Sequence, residues 1–92
     1  MREESVETHL FRKVKAARGL CIKLSPLGVV GIPDRLVLLP GGRLAFVECK
    51  KPKNGRVARL QVFWCDKLRA MGFRSVFVWT KDDVDELMET LT

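Results

Sequence analysis

Two apolar runs separated by three turn-forming residues constrain this chain more than any other feature. Arg35-Leu36-Val37-Leu38-Leu39 and Arg43-Leu44-Ala45-Phe46-Val47-Glu48-Cys49 flank Pro40-Gly41-Gly42. A proline and two glycines supply the reversal that antiparallel neighbours need, so the runs read as a β-hairpin. Both strands are apolar on both faces, which predicts central strands of a sheet covered on each side. Hydrophobic residues make up 47% of the chain and charged ones 30%, a globular rather than a disordered balance.

The flanking segments complete an αβββαβα order, an α/β fold. Residues 3–18 predict a helix, with Val6, Leu10 and Val14 recurring on one face and Phe11 beside them. Glu3 and Glu4 suit its N-terminal dipole, Lys15 and Arg18 its C-terminal one, and Gly19 is a stop signal. Leu20 to Leu24 reads as a short strand ending at Ser25-Pro26, and 28–33 as a loop. After the hairpin come a basic loop at 51–56 and a helix over about 57–71. The apolar face of that helix is Leu60, Phe63, Trp64, Leu68 and Met71. Arg74 to Trp79 is a further strand. Thr80 is the N-cap of a last helix carrying Val84, Leu87, Met88 and Leu91. Ninety-two residues allow one domain, 1–92, and no repeat or linker interrupts it.

Several function classes fall away on composition. No apolar run approaches the roughly 18 residues that span a bilayer, so no membrane role is expected. The charged start MREESVETHL is not a secretory signal, which implies an intracellular, cytoplasmic protein. Cys21, Cys49 and Cys65 form no CxxC, and the lone His9 is far from all three in sequence. Buried thiols are expected, not a zinc site or disulfides. Seventeen Lys+Arg against eleven Asp+Glu leave a net charge of +6. That suggests a polyanionic partner, nucleic acid being the commonest, but it is also an ordinary charge for solubility.

Charged residues at the hairpin's open end are sharper. Side chains alternate along a strand, so Glu48 and Lys50 share a face with Leu44 and Phe46. Charges emerging from a central strand are costly unless they pair or bind something. Asp34 starts the partner strand, so folding the hairpin brings Asp34 and Glu48 to the same end. Two adjacent carboxylates repel unless a cation lies between them, and their oxygens suit Mg2+ or Mn2+.

The segment Gly31-Ile32-Pro33-Asp34 through Glu48-Cys49-Lys50 resembles the PD-(D/E)xK nuclease motif. More narrowly, the chain resembles the stand-alone virus-type replication-repair nuclease (VRR-NUC) domain. The further points of resemblance are Glu4-Ser5-Val6-Glu7, Leu-Leu-Pro-Gly-Gly-Arg at 38–43, Phe-Val-Glu-Cys-Lys at 46–50, and Gln61. The family usually has an aliphatic residue where this chain has Cys49.

The resemblance implies a restriction-endonuclease-like core with a central mixed sheet flanked by helices. It also implies metal-dependent hydrolysis of DNA phosphodiester bonds. Asp34 and Glu48 would hold the metal with the Cys49 backbone carbonyl, and Glu7 would join them, through a water if not directly. Lys50 would stand beside the attacking water and stabilise developing charge. A neutral amide at Gln61 can orient the lysine or a phosphate without adding charge. Arg35, Lys51, Lys53, Arg56 and Arg59 are candidate DNA-phosphate contacts. Glu4 reads as a solvated helix-terminus acid, His9 as a surface helix residue, and Trp64 and Trp79 as core or dimer-interface aromatics.

Stand-alone members are associated with dimeric Holliday-junction cleavage, and a two-fold dimer would present two metal sites to two strands. A nuclease for flaps or single-stranded ends, or a non-catalytic DNA-binding module on the same fold, are the competing readings. An intact Asp34, Glu48 and Lys50 argues against the last.

Overall fold

The computed structural model describes residues 4–24 and 28–92. The helix start expected at Glu3 and the strand end expected at Ser25-Pro26 lie outside the described residues.

Seven elements follow in the expected order. They are α1 (Val6–Ala16), β1 (Leu20–Lys23), β2 (Arg35–Leu39), β3 (Arg43–Cys49), α2 (Arg59–Ala70), β4 (Arg74–Val78) and α3 (Lys81–Leu91). Ser5 caps α1 by accepting the Thr8 N–H at 3.1 Å. Arg18 then takes a left-handed φ of 64°, which turns the chain into β1. Thr80 caps α3 as expected, accepting the Asp83 N–H while Asp83 accepts the Thr80 N–H.

The strands form one mixed sheet in the order β1-β2-β3-β4. The first three are antiparallel neighbours, and β4 pairs parallel to β3 after the α2 crossover. Alternation divides the sheet into two unlike faces. Val37, Leu39, Ala45, Val47 and Val78 point one way and are buried under α1 and α3, against Leu10, Val14, Val84, Leu87, Met88 and Leu91. This is the hydrophobic core.

The opposite face corrects the expectation of strands covered on each side. Helix α2 lies over β4, where the Cys65 thiol and the Arg69 Nε both donate to the Ser75 carbonyl. Leu36, Leu38, Leu44 and Phe46 are only half-buried, and their neighbours Leu20 (62% exposed) and Ile22 on β1 are open. The apolar seam expected on α2 is corrected as well. Cys65 and Leu68 are its buried residues, whereas Leu60, Phe63 and Met71 are exposed and Trp64 is half-buried. Phe63 instead packs edge-on against Trp64. Periodicity reports an apolar helix face, but the sheet's width decides how much of it is covered.

His9 corrects a second expectation: it is 7% exposed, not a surface residue. Its Nε2 lies 2.7 Å from Asp85 Oδ1 on α3, and its Nδ1 lies 3.1 Å from Glu4 Oε1 and 2.9 Å from Arg12 Nη2. Glu4 is likewise not simply solvated. It accepts from Arg12 Nε at 2.9 Å and has Lys81 Nζ 3.9 Å away. The Arg12 guanidinium, helped by His9, pushes the Glu4 carboxyl down to about 2, and His9 with Lys13 lowers that of Asp85. A carboxyl lowered by folding stabilises the fold above its unfolded pKa, and that contribution fades as pH falls through the folded value. The contribution of Glu4 is therefore intact above about pH 4.5 and is lost toward about pH 2. Glu4→Gln should consequently lower the thermal midpoint near neutrality and flatten its decline across that acid window, followed by circular dichroism. A decline as steep as that of the wild type would remove Glu4 from the clasp.

Candidate active site

The pairing of β2 with β3 assembles the open end of the hairpin. Arg35 is opposite Val47, so continuing the register by one residue sets Asp34 opposite Glu48. The Asp34 backbone N–H donates to Glu48 Oε1 at 3.2 Å. Asp34 is pinned in turn because its carbonyl accepts the Leu24 N–H at 2.7 Å. Glu48 is half-buried, and its carboxyl is raised above its ordinary range. Burial is the largest cause. Asp34 and Glu7 add like-charge repulsion, while Lys50 and the Asp34 N–H partly oppose the rise.

Lys50 leaves the sheet just past β3, its backbone N–H donating to the Val78 carbonyl at 2.8 Å. Its ammonium donates to Gln61 Oε1 at 2.7 Å. The same oxygen accepts the Ala58 N–H at 2.9 Å, so Gln61 also caps the start of α2. Gln61 thus meets the lysine, one of the two roles that the resemblance allows it.

Gly31 sets where this helix start lies. Its φ is +93°, and a Cβ there would stand 2.6 Å from Leu60 Cβ and 2.8 Å from the Leu60 backbone carbon. The loop leading to Asp34 therefore touches the first turn of α2 through a bare backbone.

Glu7 comes from the first turn of α1, on the core-side face of the sheet. It accepts from Arg35 Nη2 at 2.7 Å. Arg35 is largely buried, its side chain 12% exposed, and its Nε lies 3.8 Å from Asp34 Oδ2. Burial works against the guanidinium's charge, but Glu7 outweighs it and holds the Arg35 pKa above its ordinary value. The Cys49 thiol faces this same side and is pushed up to about 12, chiefly by burial, so it stays protonated.

The other candidate cations are placed differently. Lys51, Lys53 and Arg56 are exposed along the segment between β3 and α2, and Arg59 is exposed at the first residue of α2. A groove of about 690 Å³ adjoins it, walled by the first turns of α1 and α3 and by Cys49 to Pro52. Lys81 lines that groove and was not among the sequence candidates. It is distant from the motif in the chain, and only the docking of α3 against α1 brings it near.

The donor chemistry suits a divalent metal: two opposed carboxylates, one half-buried and raised chiefly by that burial with like charges adding to it, are what a hard cation relieves. Asp34 and Glu48 would hold it. Glu7 is engaged by Arg35, and among the described residues no three His, Cys, Asp or Glu side chains stand together as a ready-made metal cluster.

A mixed four-stranded sheet flanked by helices, with Pro-Asp and Glu-x-Lys at one sheet end, defines a nuclease domain of the restriction-endonuclease-like class. A solved structure described as a VRR-NUC domain matches it with a TM-score of 0.85 and 34% identity, covering 95% of this chain and 94% of that one. This chain belongs to the VRR-NUC domain family. It is also 48% identical over 52 residues to the protein named "Putative nuclease p44" of Acyrthosiphon pisum secondary endosymbiont phage 1. That stretch spans 56% of this chain and 56% of the phage protein. No protein-family model matches the chain.

Proposed function

We propose that residues 1–92 act as one metal-dependent, structure-selective DNA endonuclease domain that cuts four-way junctions as a homodimer. The observation that carries this reading is the opposition of Asp34 and Glu48 with Lys50 two residues on, tethered by Gln61. Bound Mg2+ or Mn2+ would polarise the scissile phosphate and lower the pKa of a water at the site. Asp34 and Glu48 would hold the metal through their anionic oxygens, with the Cys49 carbonyl as a further ligand. Glu7, paired with Arg35 at 2.7 Å, would join them through a water. Lys50, kept from swinging by Gln61, presents its ammonium to the negative charge that grows on the phosphate as the bond breaks.

The exposed Lys51, Lys53, Arg56 and Arg59 suit phosphate contacts beside this centre, and they read no sequence by themselves. DNA shape is then the basis of selection. A second copy of the chain is the occupant proposed for the open apolar face of Leu20, Ile22, Leu36, Leu38 and Leu44. A contiguous apolar surface of this kind marks an association site. A two-fold pair would set two centres against two strands. The family and the phage relative's name support nuclease action; the place proposed for it is the cytoplasm of a bacterial or phage-infected cell, with DNA as the substrate. No helix among the described residues is long and apolar enough to cross a membrane.

The test is incubation of labelled four-way junction, flap and linear duplex with Mg2+, Mn2+ or EDTA. Paired symmetric cuts in the junction, abolished by EDTA, are expected. Cleavage confined to flaps or single-stranded ends would replace junction specificity, and no cleavage of any substrate with either metal would overturn the enzyme reading. Light scattering that gives a monomer at micromolar concentration would overturn the dimer.

A further inference from the structure

We propose that Arg35 is the site's own counter-cation. It holds Glu7 off the Asp34–Glu48 pair and competes with the divalent cation that the pair binds. This rests on the metal-dependent reading above and assigns Arg35 a positioning role in place of a phosphate contact.

A guanidinium meant for DNA backbone should stand in solvent, as Arg56 and Arg59 do. That of Arg35 is buried, with one fork nitrogen donating to Glu7 at 2.7 Å. Its Nε is buried too and has no hydrogen-bond partner among the described residues; Asp34 Oδ2, at 3.8 Å, is just out of reach. A buried cation with an unfilled donor is tolerated only where carboxylates surround it.

The groups around Arg35 fit that account. Glu7 approaches from α1, Asp34 precedes it in the chain, Lys23 is opposite it on β1, and the Cys21 and Cys49 thiols lie close enough to feel its charge. Burial raises both thiols, so they contribute no compensating charge at neutral pH. Glu7 and Asp34 are thus the anions Arg35 neutralises. A cation arriving at Asp34 meets a field that Arg35 has already weakened. For Glu7 to turn toward it, the 2.7 Å ion pair must open. Removing the guanidinium therefore destabilises the metal-free chain through acid–acid repulsion and strengthens metal binding, because the bound metal takes over the same neutralising task.

The test is calorimetric titration of Mn2+ without DNA into wild type, Arg35→Met and Arg35→Lys, together with melting in EDTA and in Mn2+. Arg35→Met should bind Mn2+ about tenfold more tightly, melt below wild type in EDTA, and regain more than wild type when Mn2+ is added. Arg35→Lys should fall between the two. Unchanged Mn2+ affinity with the same loss of melting temperature in EDTA and in Mn2+ would make Arg35 a packing residue and overturn the proposal. Unchanged Mn2+ affinity with weaker junction binding would restore the phosphate contact and overturn it equally. Should Arg35→Met not fold, Arg35→Lys decides by itself: tighter Mn2+ binding supports the role, and an affinity equal to wild type ends it. Wild type that binds no Mn2+ at all would overturn the metal-dependent reading and the Arg35 role together. Equal Mn2+ binding by all three overturns the Arg35 role alone.

Discussion

Lys50→Ala is expected to slow junction cleavage by about a thousand-fold while leaving the fold and most of the DNA affinity in place. The ammonium is the cationic group placed two residues beyond Glu48, so its loss is felt when charge develops on the phosphate and hardly before. The fold survives for a local reason. The backbone bond from Lys50 N–H to the Val78 carbonyl persists, and Gln61 still accepts the Ala58 N–H. The melting free energy should move by no more than about 1 kcal/mol. DNA affinity survives because Lys51, Lys53, Arg56 and Arg59 remain exposed beside the site. Gln61→Ala should cost less, about tenfold in rate, since it frees the lysine without removing it. Single-turnover rates at saturating protein, read beside a binding isotherm, separate these effects. Cleavage by Lys50→Ala at the wild-type rate would show that the catalytic centre lies elsewhere.

Gly31→Ala is the second large effect, although Gly31 carries no chemistry. A side chain there adopts a left-handed φ and meets the Leu60 backbone and Cβ well inside contact distance. The strain and the collision together should cost about 3 kcal/mol of stability. The relief available is a shift of the first turn of α2, which carries Gln61 and with it the Lys50 tether. A misplacement of about 1 Å at a reacting centre is worth roughly a hundred-fold in rate, and a loss of that size is expected in the folded fraction. Gly28→Ala is the control. Its φ of +82° imposes similar backbone strain, yet no atom of the described residues lies within 4 Å of the added carbon. It should lose about 1 kcal/mol and keep its activity. If both variants lose activity equally, loop strain and not the α2 contact sets the site. Urea unfolding with cleavage per folded molecule measures both.

The hairpin was legible to the residue. Strands expected at 35–39 and 43–49 are β2 and β3 with those bounds, because alternation and a Pro-Gly-Gly turn are local signals. Helix ends were less so. α1 was expected over 3–18 and runs Val6–Ala16, because the Ser5 cap and the left-handed Arg18 set its limits. The opposition of Asp34 and Glu48 follows from hairpin register, which the turn dictates. His9 was not legible: with no partner near it in the motif it reads as a surface helix residue, whereas Asp85 meets it from 76 residues away.

By itself, then, the sequence determined the order of elements, the register of the central hairpin, and hence the common position of Asp34, Glu48 and Lys50. All of these depend on turn chemistry and on alternation within a few residues. Only the tertiary structure decided that Gln61 holds Lys50, that Glu7 is taken by a buried Arg35, that His9 clasps α1 to α3, and that one sheet face lies open. Each of these joins residues from separate elements. Their contact depends on where a helix docks and how much of the sheet it covers, and periodicity along one segment carries no term for either.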